Sequence, residues 1–367
     1  MTKPLRIALV GLGFGAEFIP IYQAHPNTEL VAVAQRDSER LRQVADRFGV
    51  PKRYSDYAVL LADPDIDAVH INTPIPLHAE QTVAALEAGK HVACTVPMAT
   101  TLEDCRAIVA AARRSGRTYM MMETAVYTRE FLHVRDLVED GTIGRIQFLR
   151  GAHHQEMAGW PGYWEGLPPM YYATHAVAPV LALAGGLADS VTCLGSGRVS
   201  DELASRYGSP FAVETALMTV GGSPVRAEVA RSLFETAREY VESFTVFGDR
   251  ATFEWEQTAG AGHVLHVGEQ PQRFTVPDFA HLLPPEIARF TLRGVYDEDN
   301  QHLSFAQGDG HGGSHPHLAH EFVQSIIEDR PPAVDVTTAA NWTAVGIWAH
   351  ESALRDGARI DIPDFTG

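Results

Sequence analysis

The amino-acid sequence predicts an α/β chain: a parallel, doubly wound sheet over residues 1–125, then an α+β domain with an antiparallel sheet over 126–367. Three observations carry this reading. Short β-branched apolar runs alternate with amphipathic stretches through the first 120 residues, which specifies repeated strand–helix–strand units. A Gly-x-Gly-x-x-Ala turn follows the first of those runs. After about residue 125, strand-like runs crowd together with little helix between them, as in antiparallel sheets.

Residues 5–10 read as a buried strand, with a helix opening near Phe14. Residues 30–34 form a second strand, and 37–48 have helical apolar spacing. Residues 68–71 are a buried strand, 77–88 a helix and 91–94 another strand. The helix at 101–115 opens with Thr101 and Asp104 in a capping-box-like pair. A helix at 130–140 precedes strand-like runs at 146–151, 190–195, 212–220, 225–230, 242–247 and 251–256. The segment 255–300 is loop-rich, and helices at 317–328 and 337–355 close the chain. No internal repeat, low-complexity tract or long linker is present.

Composition narrows the function. The chain has 367 residues, 45% hydrophobic and 20% charged, which suits a folded protein of two or three domains. Acidic residues outnumber basic ones 46 to 29, for a net charge of −17. Such a surface repels phosphate backbones and anionic lipid, so nucleic-acid and membrane partners are excluded from the expectation. Three cysteines, Cys94, Cys105 and Cys193, form neither a zinc pattern nor a disulfide framework. The N-terminal apolar run leads straight into glycines rather than a signal-peptide core, and no 20-residue apolar span occurs. The expected location is cytoplasmic.

The first chemical signal is the turn Gly11, Gly13, Ala16, with Phe14 opening the helix behind it. Its first glycine permits the tight turn, and its second lets backbone amides approach a pyrophosphate. Its small third residue lets helix and strand pack closely. The second strand ends in Gln35-Arg36-Asp37 instead of the usual ribose-binding acid. Gln35 suits a ribose hydroxyl, and Arg36 either stacks on adenine or pairs with a 2′-phosphate, so NAD is expected with NADP left open. Asp37 suits a helix cap. Thr73 and Pro74 end another buried strand, where ligands bind in open α/β sheets. His78 follows, as a cofactor contact or as a packing histidine. Glu123, after the apolar run at 119–122, is either near the nicotinamide or structural.

These segments resemble the glucose–fructose oxidoreductase/inositol dehydrogenase (Gfo/Idh/MocA) family across essentially the whole chain. The resemblance rests on GLGFGA at 11–16, the Thr-Pro-x-x-x-His pattern at 73–78, GKHVACTVP at 89–97 including Pro97, and the histidine near 175. It implies an N-terminal Rossmann domain, a C-terminal domain with an open, mostly antiparallel sheet, NAD(P)-dependent chemistry on sugars or cyclitols, and a homodimer or homotetramer formed through that sheet. Two positions depart from the pattern. Thr95-Val96-Pro97 replaces the family's Glu-Lys-Pro, and valine cannot carry the lysine's proton. Tyr171 stands where the family has aspartate, four residues before His175.

MYYATHAVAP at 170–179 and GHGGSH at 310–315 look like motifs of the NAD-dependent glycosidases, such as α-N-acetylgalactosaminidases. Sulfoquinovosidases are a second redox-glycosidase group on this fold. That resemblance implies hydrolysis without net oxidation: transient oxidation at sugar carbon 3, loss of the carbon 2 proton, departure of the aglycone, addition of water and re-reduction. Tyr172 and His175 are the expected acid/base pair, sharing a face if their segment is helical. His311 is the expected working histidine of a glycine-rich loop, while His317 and His320 suit caps or surface. A metal site is not expected. Tyr171, His153, Trp160 and Trp164, with Tyr163, are candidates for the sugar wall, or equally for sheet packing. Arg150 and Arg231 are candidates for an anionic sugar substituent or ordinary salt bridges. The alternatives to a glycosidase are a sugar or cyclitol dehydrogenase using another base, and a non-catalytic sugar or dinucleotide sensor.

Overall fold

The computed structural model describes residues 3–236, 238, 240–294, 298–299, 301–303 and 310–367. The strands are β1 (Leu5–Val10), β2 (Thr28–Ala34), β3 (Lys52–Tyr54), β4 (Ala68–Ile71), β5 (His91–Cys94), β6 (Tyr119–Met121), β7 (Ile146–Gln155), β8 (Ala188–Ser196), β9 (Val213–Val220), β10 (Arg226–Ser232), β11 (Tyr240–Gly248), β12 (Ala251–Glu254), β13 (His263–Val267), β14 (Gln270–Phe274) and β15 (Ile360–Asp361). The α-helices are α1 (Ile19–Ala24), α2 (Ser38–Phe48), α3 (Tyr57–Leu61), α4 (His78–Glu87), α5 (Leu102–Ser115), α6 (Arg129–Glu139), α7 (Thr174–Ala184), α8 (Asp201–Tyr207), α9 (Pro285–Ala288), α10 (Ser314–Ile327) and α11 (Val336–Leu354). No helix among the described residues is long and apolar enough to cross a membrane.

One compact unit comprises Met1–Ala99, Glu103–Arg129 and Asp278–Ala339. Its six strands run parallel in the order β3-β2-β1-β4-β5-β6, the doubly wound topology that the strand–helix alternation predicts. The reversal of strand order between β1 and β4 opens a crevice at their carboxyl ends, where such sheets bind ligands. The central strand is buried on both faces, with Ile7, Ala8 and Leu9 fully inaccessible, which explains its unbroken apolar run. The segment Asp278–Ala339, which the sequence reading places in the C-terminal domain, belongs to this unit. Ile287 and Phe290, with Leu318 and Phe322 of α10, share one core with Phe18, Ile21 and Tyr22. That burial outweighs proximity along the chain.

The other unit comprises Thr100–Leu102, Glu130–Pro277 and Ala340–Gly367. Its nine-stranded sheet has the order β14-β13-β12-β11-β7-β10-β9-β8-β15. Every pairing is antiparallel except β10 with β7, so the sheet is mixed and mostly antiparallel, with open edges. α7 packs against β7, β10 and β11 on one face. The hairpin of β13 and β14 lies in the stretch expected to be loop-rich. Its outer strand, QPQRF, has polar, exposed residues and a proline, and so shows no apolar alternation.

Candidate active site

In the first unit the dinucleotide turn is built as its sequence requires. Gly11 has φ +88°, and a Cβ there would stand 2.6 Å from Asn72 O and 2.9 Å from Thr73 N. Only glycine lets the β1 and β4 ends approach this closely. Gly13 differs: a Cβ there would meet nothing within 4 Å, so its backbone borders open space. Nearby, Asn72 Oδ1 is a buried acceptor without a hydrogen-bond partner among the described residues. The open glycine edge at the carboxyl ends of β1 and β4 fits a dinucleotide pyrophosphate laid across the turn. The unpaired Asn72 acceptor suits a donor on the same cofactor, such as a ribose hydroxyl, rather than the phosphates. Phe14 and Ala16 lie in the 3₁₀ helix Phe14–Phe18 that follows.

At the β2 end, Gln35 Oε1 accepts from Leu12 N at 3.3 Å, and Arg40 Nη2 donates to Leu12 O at 2.9 Å. Arg40, missed by sequence reasoning, therefore straps the turn from α2. Arg36 is exposed, and Asp37 caps α2 by accepting from Glu39 N and Arg40 N. Thr73 donates its hydroxyl to Gln81 Oε1 at 2.6 Å. His78 is buried, with Nδ1 2.8 Å from Pro97 O and Nε2 2.8 Å from Thr73 O. Both nitrogens are thus engaged, and the packing alternative describes this residue. Glu123 is fully buried and accepts from Ala125 N at 3.0 Å.

The glycine-rich loop also packs within this unit; its residues 308–309 lie outside the described residues. His311 has left-handed backbone, φ 56°, and Gly312 and Gly313 continue it at 54° and 79°. Arg129 donates to Gly312 O at 3.3 Å and to Thr291 O at 3.4 Å. The rings of His311 and His315 lie 6.1 and 5.4 Å from Phe14 of the dinucleotide turn. His315 is fully buried, and burial holds it well below the usual histidine range. Its Nδ1 is 3.4 Å from Glu17 Oε2, whose pKa burial pushes up to about 8. Glu17 was not singled out from sequence, because an acid in a first helical turn reads as ordinary. His317 is buried rather than on the surface, and His320 Nδ1 lies 3.0 Å from His25 Nε2.

The second unit assembles a different cluster. Strand β7 runs to Gln155, so His153 and His154 lie within it instead of following it. Alternation then places His153 on the face covered by α7, fully buried, while His154 Nδ1 meets Ser232 Oγ at 2.8 Å. Tyr172 ends the 3₁₀ turn Pro169–Tyr172, and His175 lies in the first turn of α7. Their hydroxyl and Nε2 meet at 3.1 Å, so the two residues lie together as the expected shared face requires. The His153 ring is 5.0 Å from His175 and 6.0 Å from Tyr172, and Trp164 stands edge-on to Tyr172 at 4.8 Å. Trp160 and Tyr163 are 43% and 45% exposed beside Trp164, an open aromatic surface.

The two arginines have structural duties. Arg150 is exposed and pairs with its register partner Glu228 at 3.1 Å. Arg231 is fully buried and donates to Tyr172 O (3.0 Å), His153 O (2.9 Å), Ser232 O (2.7 Å) and Gln155 Oε1 (2.6 Å). Four of its five N–H donors go to protein acceptors and the side chain is fully buried, so this arginine serves the fold rather than the anion contact expected from the sequence. Burial lowers its pKa to about 10, still charged at neutral pH. Tyr171 is half-buried, with its ring edge-on to that of His350 at 5.8 Å. His350 and its partner Glu214 were not singled out from sequence. Among the described residues no group of three or more histidine, cysteine, aspartate or glutamate side chains is placed to hold a metal ion.

Comparison with known proteins matches two segments of the chain. Residues 5–123 match the family described as "Oxidoreductase family, NAD-binding Rossmann fold", and residues 298–367 match "Glycosyl hydrolase 109, C-terminal domain". A "Glycosyl hydrolase family 109 protein" of Saccharopolyspora erythraea is 24% identical over 99% of this chain and 84% of its own length. A protein of the same description from Streptomyces coelicolor is 26% identical over 99% of this chain and 83% of its own. Among solved structures, a levoglucosan dehydrogenase in complex with NADH and levoglucosan superposes with a TM-score of 0.77 at 21% identity, covering 99% of this chain and all of that one. The chain therefore joins an NAD-binding Rossmann domain of the Gfo/Idh/MocA oxidoreductase family to a C-terminal glycosyl hydrolase 109 domain.

Proposed function

We propose that this protein is an NAD-dependent glycoside hydrolase that cleaves a sugar glycoside through transient oxidation of the sugar ring at carbon 3. The observation that carries the reading is the Tyr172–His175 hydrogen bond, 3.1 Å long, in a chain that has valine at position 96. Relatives described as glycosyl hydrolase family 109 proteins, matched along nearly the whole chain, support it. The Gly11–Ala16 turn, Gln35 and the Thr73–Pro74 segment would hold NAD. When bound, it supplies reversible hydride acceptance, so that a ring hydroxyl becomes a ketone and is later restored.

The protein's own residues then handle protons and position. A ketone at carbon 3 acidifies the neighbouring carbon–hydrogen bond, and Tyr172 with His175 forms a linked acceptor for that proton. Arg231, holding Tyr172 O and 5.6 Å from the Tyr172 ring centroid, favours the anionic form of the phenol. His311, presented on left-handed backbone, provides a further imidazole for proton exchange. Trp160 and Tyr163 offer apolar rings to the face of a sugar or aglycone. With Arg150 and Arg231 both engaged, neutral glycosides fit better than anionic ones.

A dehydrogenase acting on sugars is the second reading, favoured by the fold shared with levoglucosan dehydrogenase. The two separate by stoichiometry. Purified protein, substoichiometric NAD⁺ and a panel of 4-nitrophenyl α- and β-glycosides are followed for nitrophenol and for 340 nm absorbance. The glycosidase releases many equivalents of nitrophenol per NAD⁺ without NADH accumulation. NADH accumulating with free sugars, without nitrophenol release, favours the dehydrogenase.

A further inference from the structure

The buried face of the nine-stranded sheet carries a row of ionisable residues at one level. Register places Glu242 opposite His153, His153 opposite Arg231, and Arg231 opposite Glu214 across four adjacent strands. Directly paired residues share a face. Two consecutive tyrosines of the turn Pro169–Tyr172 meet this row in opposite electrostatic company. Tyr172 lies beside the Arg231 guanidinium, 5.6 Å from its ring centroid, and hydrogen-bonds His175. Tyr171 lies edge-on to His350, whose Nδ1 is 2.8 Å from Glu214 Oε1. Glu214 is fully buried, and the same oxygen accepts from Ser209 Oγ at 2.9 Å.

Glu214 fixes the His350 tautomer, because a carboxylate can only accept and Nδ1 must therefore donate. The ring's other nitrogen, Nε2, has no hydrogen-bond partner among the described residues, and neither does the Tyr171 hydroxyl. We propose that these buried charges sort the two tyrosines by duty. Tyr172, beside Arg231 and His175, accepts a proton from the bound sugar, whereas Tyr171, beside the Glu214–His350 dyad, stays a phenol and donates a hydrogen bond to a sugar oxygen. In the accepting step the carbon–hydrogen bond breaks, the new O–H bond forms on Tyr172, and the electron pair stays with the sugar. Glu214 and His350 are positioning residues that act through Tyr171.

Chemistry supports the sorting. Burial, then Glu351 and Glu214, push the Tyr171 phenol above its ordinary range. The charge of Tyr172 in turn helps hold the proton on Arg231, so guanidinium and phenolate stabilise each other. Neighbouring groups set in opposite electrostatic company are how one site holds an acid and a base at the same pH. The ionisable groups around Tyr171 are Glu214, Glu351 and His350. Those around Tyr172 include Arg231, His175, His153 and Tyr240.

The proposal rests on the glycosidase reading for the ligand, but the sorting belongs to the free protein and is tested without substrate. The full chain, with NAD⁺ added, is labelled with [¹³Cζ]tyrosine and titrated upward from neutral pH. Loss of one resonance in Tyr171→Phe and in Tyr172→Phe makes the assignments. Tyr172 is expected to reach the phenolate position first, with midpoints roughly one to three pH units apart. Glu214→Gln and Glu351→Gln should each lower the Tyr171 midpoint and leave that of Tyr172 in place. The Glu351 change, on a partly exposed side chain, provides the test if the buried change unfolds the protein. Tyr171 ionising first or together with Tyr172, or a Tyr171 midpoint that moves in neither folded variant, would overturn the proposal. Failure of the glycoside panel with the sorting intact would count against the glycosidase reading alone.

Discussion

The Tyr172 hydroxyl meets His175 Nε2 at 3.1 Å across the junction between a 3₁₀ turn and α7, while the buried Arg231 guanidinium holds the Tyr172 carbonyl at 3.0 Å. On the proposed function this pair is a proton-handling unit rather than two packing residues. Tyr172→Phe and His175→Gln should each reduce kcat on a hydrolysed aryl glycoside by about 10²- to 10⁴-fold, the usual range for positioned acid/base groups. NAD⁺ affinity and thermal stability should change little. A loss confined to KM would assign the pair to binding instead.

The two glycines of the dinucleotide turn should respond differently to the same methyl group. Gly11→Ala forces a Cβ against Asn72 O at 2.6 Å from a backbone with φ +88°, so both folding stability and NAD⁺ binding should fall. Gly13→Ala points into open space, so the free protein should keep its melting temperature. Its NAD⁺ affinity should drop roughly tenfold or more, about 1.4 kcal/mol, because the methyl enters the place expected for the pyrophosphate. Thermal shift with and without NAD⁺ reads both effects.

Arg231 and Arg150 provide a contrast between burial and exposure. Arg231→Met would strand the carbonyls of Tyr172, His153 and Ser232, and should cost about 3 kcal/mol or more in urea unfolding. Arg150→Ala removes a pair whose arginine is 54% exposed and should cost less than about 1 kcal/mol. Equal losses would contradict the different roles assigned to them.

Glu17 should imprint a pH dependence on stability. Its folded pKa is pushed up to about 8, so the folded state keeps a proton that the unfolded chain gives up above the ordinary value of 4.5. Its contribution therefore declines as pH rises from about 5 to 8, with a slope of at most about 1.4 kcal/mol per pH unit. Glu17→Gln should gain on the wild type across that window when urea midpoints are measured at pH 5.5, 7 and 8.5. Parallel profiles would show that Glu17 is ionised in the fold.

Trp160 and Tyr163 are exposed enough to be replaced without a folding cost. Trp160→Ala and Tyr163→Ala should raise KM for aryl glycosides several-fold, by up to about 1.5 kcal/mol per ring, and leave melting temperature unchanged. Unchanged KM in both variants would remove these rings from the sugar wall.

Local patterns made much of this legible in the sequence. The parallel sheet follows from apolar runs buried on both faces, and the Gly11–Ala16 turn from its place between strand and helix. The 172/175 spacing anticipated a shared face, although a 3₁₀ turn and α7 provide it instead of one helix. Long-range packing hid the rest. Nothing local shows that 278–339 packs with the first unit, because the reason is the meeting of Phe290 and Phe322 with Phe18 and Tyr22. Glu214 and His350 are 136 positions apart and meet only once β9 and α11 are assembled. Arg231 looked available for a ligand because its four acceptors, mostly backbone carbonyls, are invisible in a sequence.

The most direct test of the central claim is the ratio of nitrophenol released to NAD⁺ supplied, with 340 nm absorbance read in the same cuvette. Many turnovers per NAD⁺ at a flat 340 nm baseline, lost in Tyr172→Phe, are the predicted result. A 340 nm rise that tracks sugar consumption, with no nitrophenol, would contradict it and make the protein a dehydrogenase.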